Sequence, residues 1–232
     1  MLFLHEVHKV SGKRQDEFEA AYRDYWMPTM AQSEYARLLW YTNHAMGSGV
    51  SYNVVTITAL TDGRAWEDLA QRAQKGDLRS WMRAVDSLRH DVVGKLLVPL
   101  HWSPIQEFDL ATIPVDGRSH ELTLYMEDTM WPYELQSYID ACGSVYAKSL
   151  EVKEADRFLA IELALQTAFG SHVRDEVALM QKIHDVKRLQ SLLTNEIPPE
   201  VRGPGTWMHN ALAVRDQWES KLLRTSAWSP LY

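Results

Sequence analysis

Lys95-Leu-Leu-Val-Pro-Leu-His-Trp-Ser-Pro104 is a stretch that the chain carries twice. It returns as Lys221-Leu-Leu-Arg-Thr-Ser-Ala-Trp-Ser-Pro230, identical at six of ten positions after a shift of 126 residues. The same shift lays Trp81-Met82 on Trp207-Met208. A constant offset across separated segments marks a duplicated structural unit. Copies of roughly 110 residues are too long for solenoid repeats, so each half is expected to form one compact α+β unit.

Outward from that stretch, residues 95–102 close the first unit as a strand. At the other end, residues 2–10 open it as a strand that Gly12 breaks. A helix follows over 16–25, with Phe18, Tyr22 and Tyr25/Trp26 at helical spacing. Pro28 has no amide hydrogen to donate and ends or kinks this helix. Residues 37–42 are β-rich, and 52–60 carry the β-branched enrichment of a third strand. Thr61-Asp-Gly63 then turns the chain into a helix bearing Trp66 and Leu69. A further helix starts near Asp77, placed as its N-cap, with Trp81, Met82, Val85 and Leu88 on the apolar face. The order β-α-β-β-α-β is the ferredoxin-like split arrangement.

The second unit repeats the plan less clearly. Residues 108–118, with Pro114 and Asp116-Gly117, read as a linker between units at 1–107 and 119–232. A strand is expected at 121–127, a helix at 133–147 and a strand at 157–165. A long helix is expected over 173–193, with Val177, Met180, Ile183 and Leu192 apolar. A Pro/Gly-rich loop at 197–205 precedes the last helix and strand. For the counterpart of the 37–42 strand, a degraded version is sought at 146–152.

Composition narrows the function classes. At 46% hydrophobic, 24% charged and a net charge of −7, the chain is an ordinary globular one without the basic stripe that nucleic acid requires. Cys142 is the only cysteine, which excludes an intrachain disulfide framework and favours a reducing cytoplasm. The start of the chain lacks the pattern of a signal peptide, and no apolar run approaches the ~20 residues that span a bilayer. Nine Trp and ten Tyr point to a large core or a pocket for a flat, apolar ligand. Walker, Rossmann, G-x-S-x-G and zinc-ligand motifs are all missing from the sequence. His5 and His8 fall on opposite faces of their strand; Glu6 and His8 share a face, but two ligands fall short of a metal site.

Several segments together carry a resemblance. They are Gly12-Lys13 with the helix around Phe18, Tyr52-Asn-Val-Val-Thr-Ile-Thr58, and above all Gly94–Pro104. In these the first half resembles the NIPSNAP family of the dimeric α+β-barrel superfamily, and residues 221–230 extend the likeness to the second half. The resemblance implies α+β units of ferredoxin-like topology whose sheets pair face to face around a cavity. One chain supplies both units, and further pairing gives a homodimer. The family often places His and Trp in the third strand, where this chain has Thr56 and Thr58, so a ligand site on those side chains does not carry over.

Alternation assigns the faces of each sheet. Leu122, Leu124 and Met126 form a helix-facing set, which turns Thr123, Tyr125 and Glu127 to the cavity. A slide of 120 residues gives Phe3, His5 and Val7 the same role. Across 157–165, Leu159, Ile161, Leu163 and Leu165 are uniformly apolar, leaving Phe158, Ala160, Glu162 and Ala164 on the other face. Glu162 is then a carboxylate in an apolar interior, suited to general acid–base work near neutrality. The expectation is a cofactor-independent enzyme, a lyase or isomerase acting on a small hydrophobic, aromatic molecule. Glu162 would be the base with His5 or Tyr125 assisting, while Glu127, Phe3, Trp26, Trp40, Tyr41 and His101 would bind the substrate. Cofactor-free oxygenation of a phenol is a variant. The alternatives are a haem protein with His5, His44 or His101 as axial ligand, and a non-catalytic interaction module.

Overall fold

Strand formation in both halves follows runs of β-branched and aromatic residues, and their pairing closes a single sheet. In a computed structural model, which describes residues 1–169 and 175–232, the strands are β1 (Leu2–Val10), β2 (Ala36–His44), β3 (Asn53–Leu60), β4 (Arg89–Pro99), β5 (Leu124–Met130), β6 (Leu159–Phe169), β7 (Val177–Ile183) and β8 (Trp218–Thr225). They form a closed antiparallel barrel in the order β1-β3-β2-β8-β5-β7-β6-β4. Each half contributes four neighbouring strands in ferredoxin-like order, β4-β1-β3-β2 and β8-β5-β7-β6. The seams are short: Thr42–His44 pair with Leu223–Thr225 at one, and Leu96–Pro99 with residues of β6 at the other.

An eight-stranded barrel is just wide enough for side chains to fill it. Phe3, Trp40, Ile57, Tyr125, Leu163, Met180 and Leu223 do so here. Phe108, Leu110 and Ile113, from the segment joining β4 to β5, pack against the same cluster. Helices cover the outer face. In the first half these are α1 (Gln15–Ala21), α2 (Met27–Ala31), α3 (Gly63–Lys75) and α4 (Arg79–Asp86); in the second, α5 (Leu135–Ala141), α6 (Val186–Thr194) and the single turns α7 (Pro199–Arg202) and α8 (Trp207–Asn210). Asp62 and Asp185 cap α3 and α6 by accepting from two backbone amides each.

The repeated stretch has a structural meaning. After β4, Trp102 donates to the carbonyl of Ile139 at 2.9 Å, and Ser103 Oγ accepts from the amide of Ala164 at 3.0 Å. After β8, Trp228 donates to Glu19 at 2.7 Å, and Ser229 Oγ accepts from the amide of Tyr41 at 3.0 Å. Each half thus ends in a Trp-Ser arm laid on the other half.

Four expectations are corrected. Pro28 does not end the first helix: the helical run continues from α1 to α2 through a π turn over Tyr22–Trp26, and this irregularity directly precedes Pro28, which has no amide hydrogen to give the ladder. Residues 173–193 are not one helix but β7 and α6, broken at His184-Asp185; Val173 lies outside the described residues. The counterpart of β2 is β6, whereas 146–152 take in the end of the π turn over Cys142–Ala147 and the turn that follows it. Strict alternation also fails in β6. The register slips between Ile161 and Leu163, so Leu163 and Leu165 enter the barrel while Ala164 packs on the helices.

Candidate functional site

With Phe3, His5 and Val7 turned into the barrel, β1 presents Leu4, Glu6 and His8 to the helical layer. That layer leaves a space over the sheet here. Tyr22 and Trp26, four residues apart on the π turn between α1 and α2, both line the space over β1. Trp66 and Ala73 of α3 and Trp81 of α4 complete a cavity of about 340 Å3, floored by Glu6 and Gly94. Trp26 and Trp81 stack in its wall with ring centroids 4.7 Å apart and planes 19° from parallel. Trp26 is fixed by donating to Thr58 Oγ1 at 3.2 Å.

Behind the floor lies a polar chain. His8 is fully buried; its Nδ1 faces Arg89 Nη1 at 2.8 Å, and Arg89 in turn holds Asp86 Oδ1 at 2.5 Å. Because a guanidinium only donates, His8 Nδ1 must accept, and the ring's hydrogen sits on Nε2. That hydrogen is shared between Thr56 Oγ1 at 3.0 Å and the Tyr22 hydroxyl at 3.2 Å. Burial, reinforced by the Arg89 charge, pushes His8 well below its ordinary value and keeps it neutral. Burial lifts the Tyr22 phenol well above its ordinary value.

Glu6 keeps 15% of its side chain exposed, and its Oε2 lies 4.0 Å from His8 Nε2. Burial raises its pKa to about 7, against the pull of Arg89 and with a smaller push from Asp86. The site therefore offers a carboxyl that changes charge near neutrality, a neutral imidazole, a protonated phenol and a planar aromatic wall.

The second half holds the same position in another state. Glu6 pairs across the sheet with Gly94, and Asp128 pairs with Ser220, so Asp128 is the counterpart of Glu6. Asp128 accepts from Ser220 Oγ at 2.5 Å and from Gln181 Nε2 at 2.9 Å. Burial raises its carboxyl too, but Tyr146, stacked on Trp207 at 5.6 Å, closes in through Gln181.

The residues singled out from sequence fall into separate places. Trp26 lines the cavity. Tyr125 and Glu162 meet at 2.9 Å, with Glu162 reaching the barrel at the β6 bulge, and His5 and Glu127 meet at 2.7 Å inside the barrel. Phe3 and Trp40 pack around Phe108 there, and Tyr41 lies on Trp228. His101 is exposed in a turn. None of these but Trp26 touches the cavity, and no histidine is among its lining residues, so the cavity does not fit a histidine-ligated haem. Among the described residues no cluster suits a metal ion, and no helix is long and apolar enough to cross a membrane.

Sequence reasoning weighed Glu6 and His8 only as a metal pair, read Tyr22 and Trp81 as helix-face residues, and passed over Arg89. A signal was present: once Phe3, His5 and Val7 are assigned to one face of β1, Glu6 and His8 are two polar residues on the face that should pack on helices.

No family model matches the chain, and no curated protein does. Solved structures do. An "anthrone oxidase-like protein" is 10% identical, with 97% of this chain and 91% of that one covered at a TM-score of 0.61. A "putative monooxygenase" from Lactobacillus acidophilus is also 10% identical, with 99% and 97% covered at 0.58. A NIPSNAP domain protein from Burkholderia xenovorans is 22% identical over 45% of this chain and its own whole length, at a TM-score of only 0.38. The chain shares the overall fold of the first two, an α+β arrangement that here closes eight antiparallel strands into one barrel within a single chain.

Proposed function

We propose that the protein is a cofactor-independent enzyme that oxidises a small, flat aromatic compound, with Glu6 as general base. The observation that carries this reading is a carboxyl held near pH 7 in the floor of a tryptophan-walled cavity. A base is most effective when its pKa lies close to the working pH. The cavity, at about 340 Å3, is at the small end of ligand pockets. The names of the two structural neighbours supply the direction of the chemistry, and the geometry here supplies the groups.

The Glu6 carboxylate takes a proton from a carbon acidified by an adjoining aromatic ketone or phenol. The charge spreads into the ring system, and the Tyr22 hydroxyl, already accepting from His8, has its own hydrogen free for the developing oxyanion. Dioxygen takes up the electron pair and bonds to the carbon, and loss of water leaves a new carbonyl. The balance is one CH2 and one O2 to one C=O and one H2O. Trp26 and Trp81 hold the rings flat and exclude water. The substrate class is a hydrophobic phenol or anthrone, and no cofactor enters the scheme.

The test is oxygen uptake on anthrone by the protein and by Glu6→Gln. Uptake with matching quinone formation, lost in the variant, supports the reading. Substrate conversion that proceeds equally without oxygen would replace it with the lyase or isomerase reading, and turnover untouched by Glu6→Gln would end it.

A further inference from the structure

Gly94 stands in the middle of β4, opposite Glu6 in the ladder. A glycine inside a strand weakens it and usually marks either strained backbone or a close approach by something else. Strain is not the reason here, because Gly94 is not among the glycines with positive φ. Crowding by the protein is not the reason either. A Cβ at this place would stand 3.6 Å from Glu6 Cγ, 3.9 Å from Glu6 Oε1 and 4.0 Å from Leu4 Cδ1, all ordinary contacts. The protein would accept a side chain, and that side chain would project into the cavity beside the Glu6 carboxyl.

The chain contains its own control. In the second half the residue facing the equivalent carboxylate is Ser220, and its hydroxyl donates to Asp128 Oδ1 at 2.5 Å. A donor on the carboxylate is thus what this geometry accommodates, and the first half leaves the donor's place open to the cavity. We infer that Gly94 is a specificity-determining position: an aromatic hydroxyl of the substrate occupies the space a side chain would fill there and donates to the Glu6 carboxylate, as Ser220 does to Asp128. This rests on the reading of Glu6 as the base and narrows its substrate to compounds with a hydroxyl on the ring system. That hydroxyl holds the rings in register with the carboxylate and selects against aromatic hydrocarbons and ethers of the same size.

The experiment is a binding titration followed by tryptophan fluorescence, with 2-naphthol and 2-methoxynaphthalene as probes. The native protein is expected to prefer the naphthol at least tenfold. Gly94→Ser is expected to remove that preference by supplying its own hydroxyl to Glu6. Gly94→Ala is expected to weaken naphthol binding while raising the melting temperature, since alanine costs less than glycine in a strand. Those opposite signs separate a ligand-made requirement for glycine from a structural one. Naphthol binding that Gly94→Ser leaves within twofold overturns this inference alone. Failure of the native protein to bind either probe overturns the reading of the cavity and this inference with it. A preference that answers to Gly94→Ser while Glu6→Gln leaves turnover intact upholds the subsite and removes Glu6 as base.

Discussion

His5 Nε2 and Glu127 Oε2 meet at 2.7 Å inside the barrel, and they are the same position of the two halves, 122 residues apart. Each pairs across its sheet with the lysine of the repeated stretch, His5 with Lys95 and Glu127 with Lys221. A duplicated fold has here turned one equivalent position into a buried acid–base contact with its own copy.

That contact sets a pH limit on stability. Burial alone would raise the Glu127 carboxyl, but His5 and Lys221 overrule it and hold it well below the usual range. A depressed carboxyl contributes stability that is present above its unfolded value of 4.5 and lost as the pH falls below it. Glu127→Gln should cost towards the low end of ~3–5 kcal/mol, the range for breaking a buried pair. Glu219, 3.0 Å from Lys221, still offers that ammonium a partner. Melting curves from pH 7 to pH 3 check both points: the variant should melt lower at neutrality and lose less on acidification.

Glu6 should behave in the opposite way. Its folded value of about 7 lies above the unfolded 4.5, so stability falls as pH rises through that window. Glu6→Gln should therefore stabilise the protein at pH 8 by up to about 3 kcal/mol, leave it nearly unchanged at pH 4, and slow turnover by ~10²–10⁴-fold. Urea unfolding at the two pH values gives the first quantity and oxygen uptake the second.

Arg89 donates to the imidazole of His8 and acts on the carboxyl of Glu6 through its charge. Arg89→Leu leaves His8 Nδ1 without its donor, a loss of about 1–3 kcal/mol. It also removes the cation that holds the Glu6 value down. The acidic limb of kcat/KM against pH should move upward from about 7, whereas a purely structural defect would lower the whole profile without moving it.

Gly143 lies directly under the Trp102 arm: a Cβ there would come within 2.5 Å of Trp102 Cδ1. Gly143→Ala should cost about 1–3 kcal/mol through overpacking. Trp102→Ala alone should cost about 3–5 kcal/mol. The double variant should lose less than the sum, since one change makes room for the other. Denaturant midpoints of the four proteins close that cycle.

Much of the fold can be read from the residues, and the reason differs by element. The stretch at Lys95–Pro104 and its copy disclose the duplication, and Asn53–Leu60 is β-branched enough to declare itself a strand. β7 hides because nearly all of it is buried, so alternation disappears and the spacing of Val177, Met180 and Ile183 imitates a helix. The bulges after Leu38 and Ile161 hide because an extra residue is decided by the partner strand, not by local composition. Alternation did bring Phe3, His5, Tyr125 and Glu127 to one face. What it could not reveal is that barrel closure fills that face with side chains, while the cavity lies on the other, between β1 and β4 and the helices.

The two carboxylates, Glu6 and Asp128, share one chain but not one fate. In an assembly of identical subunits every substitution is made twice, so a site cannot be abandoned in one copy and kept in the other. Fusion into a single barrel lifts that constraint. Asp128 has settled between Ser220 and Gln181, its hydrogen bonds taken up by the protein itself. Selection acting on Glu6 and Gly94 is thereby free to reshape one pocket without altering its twin.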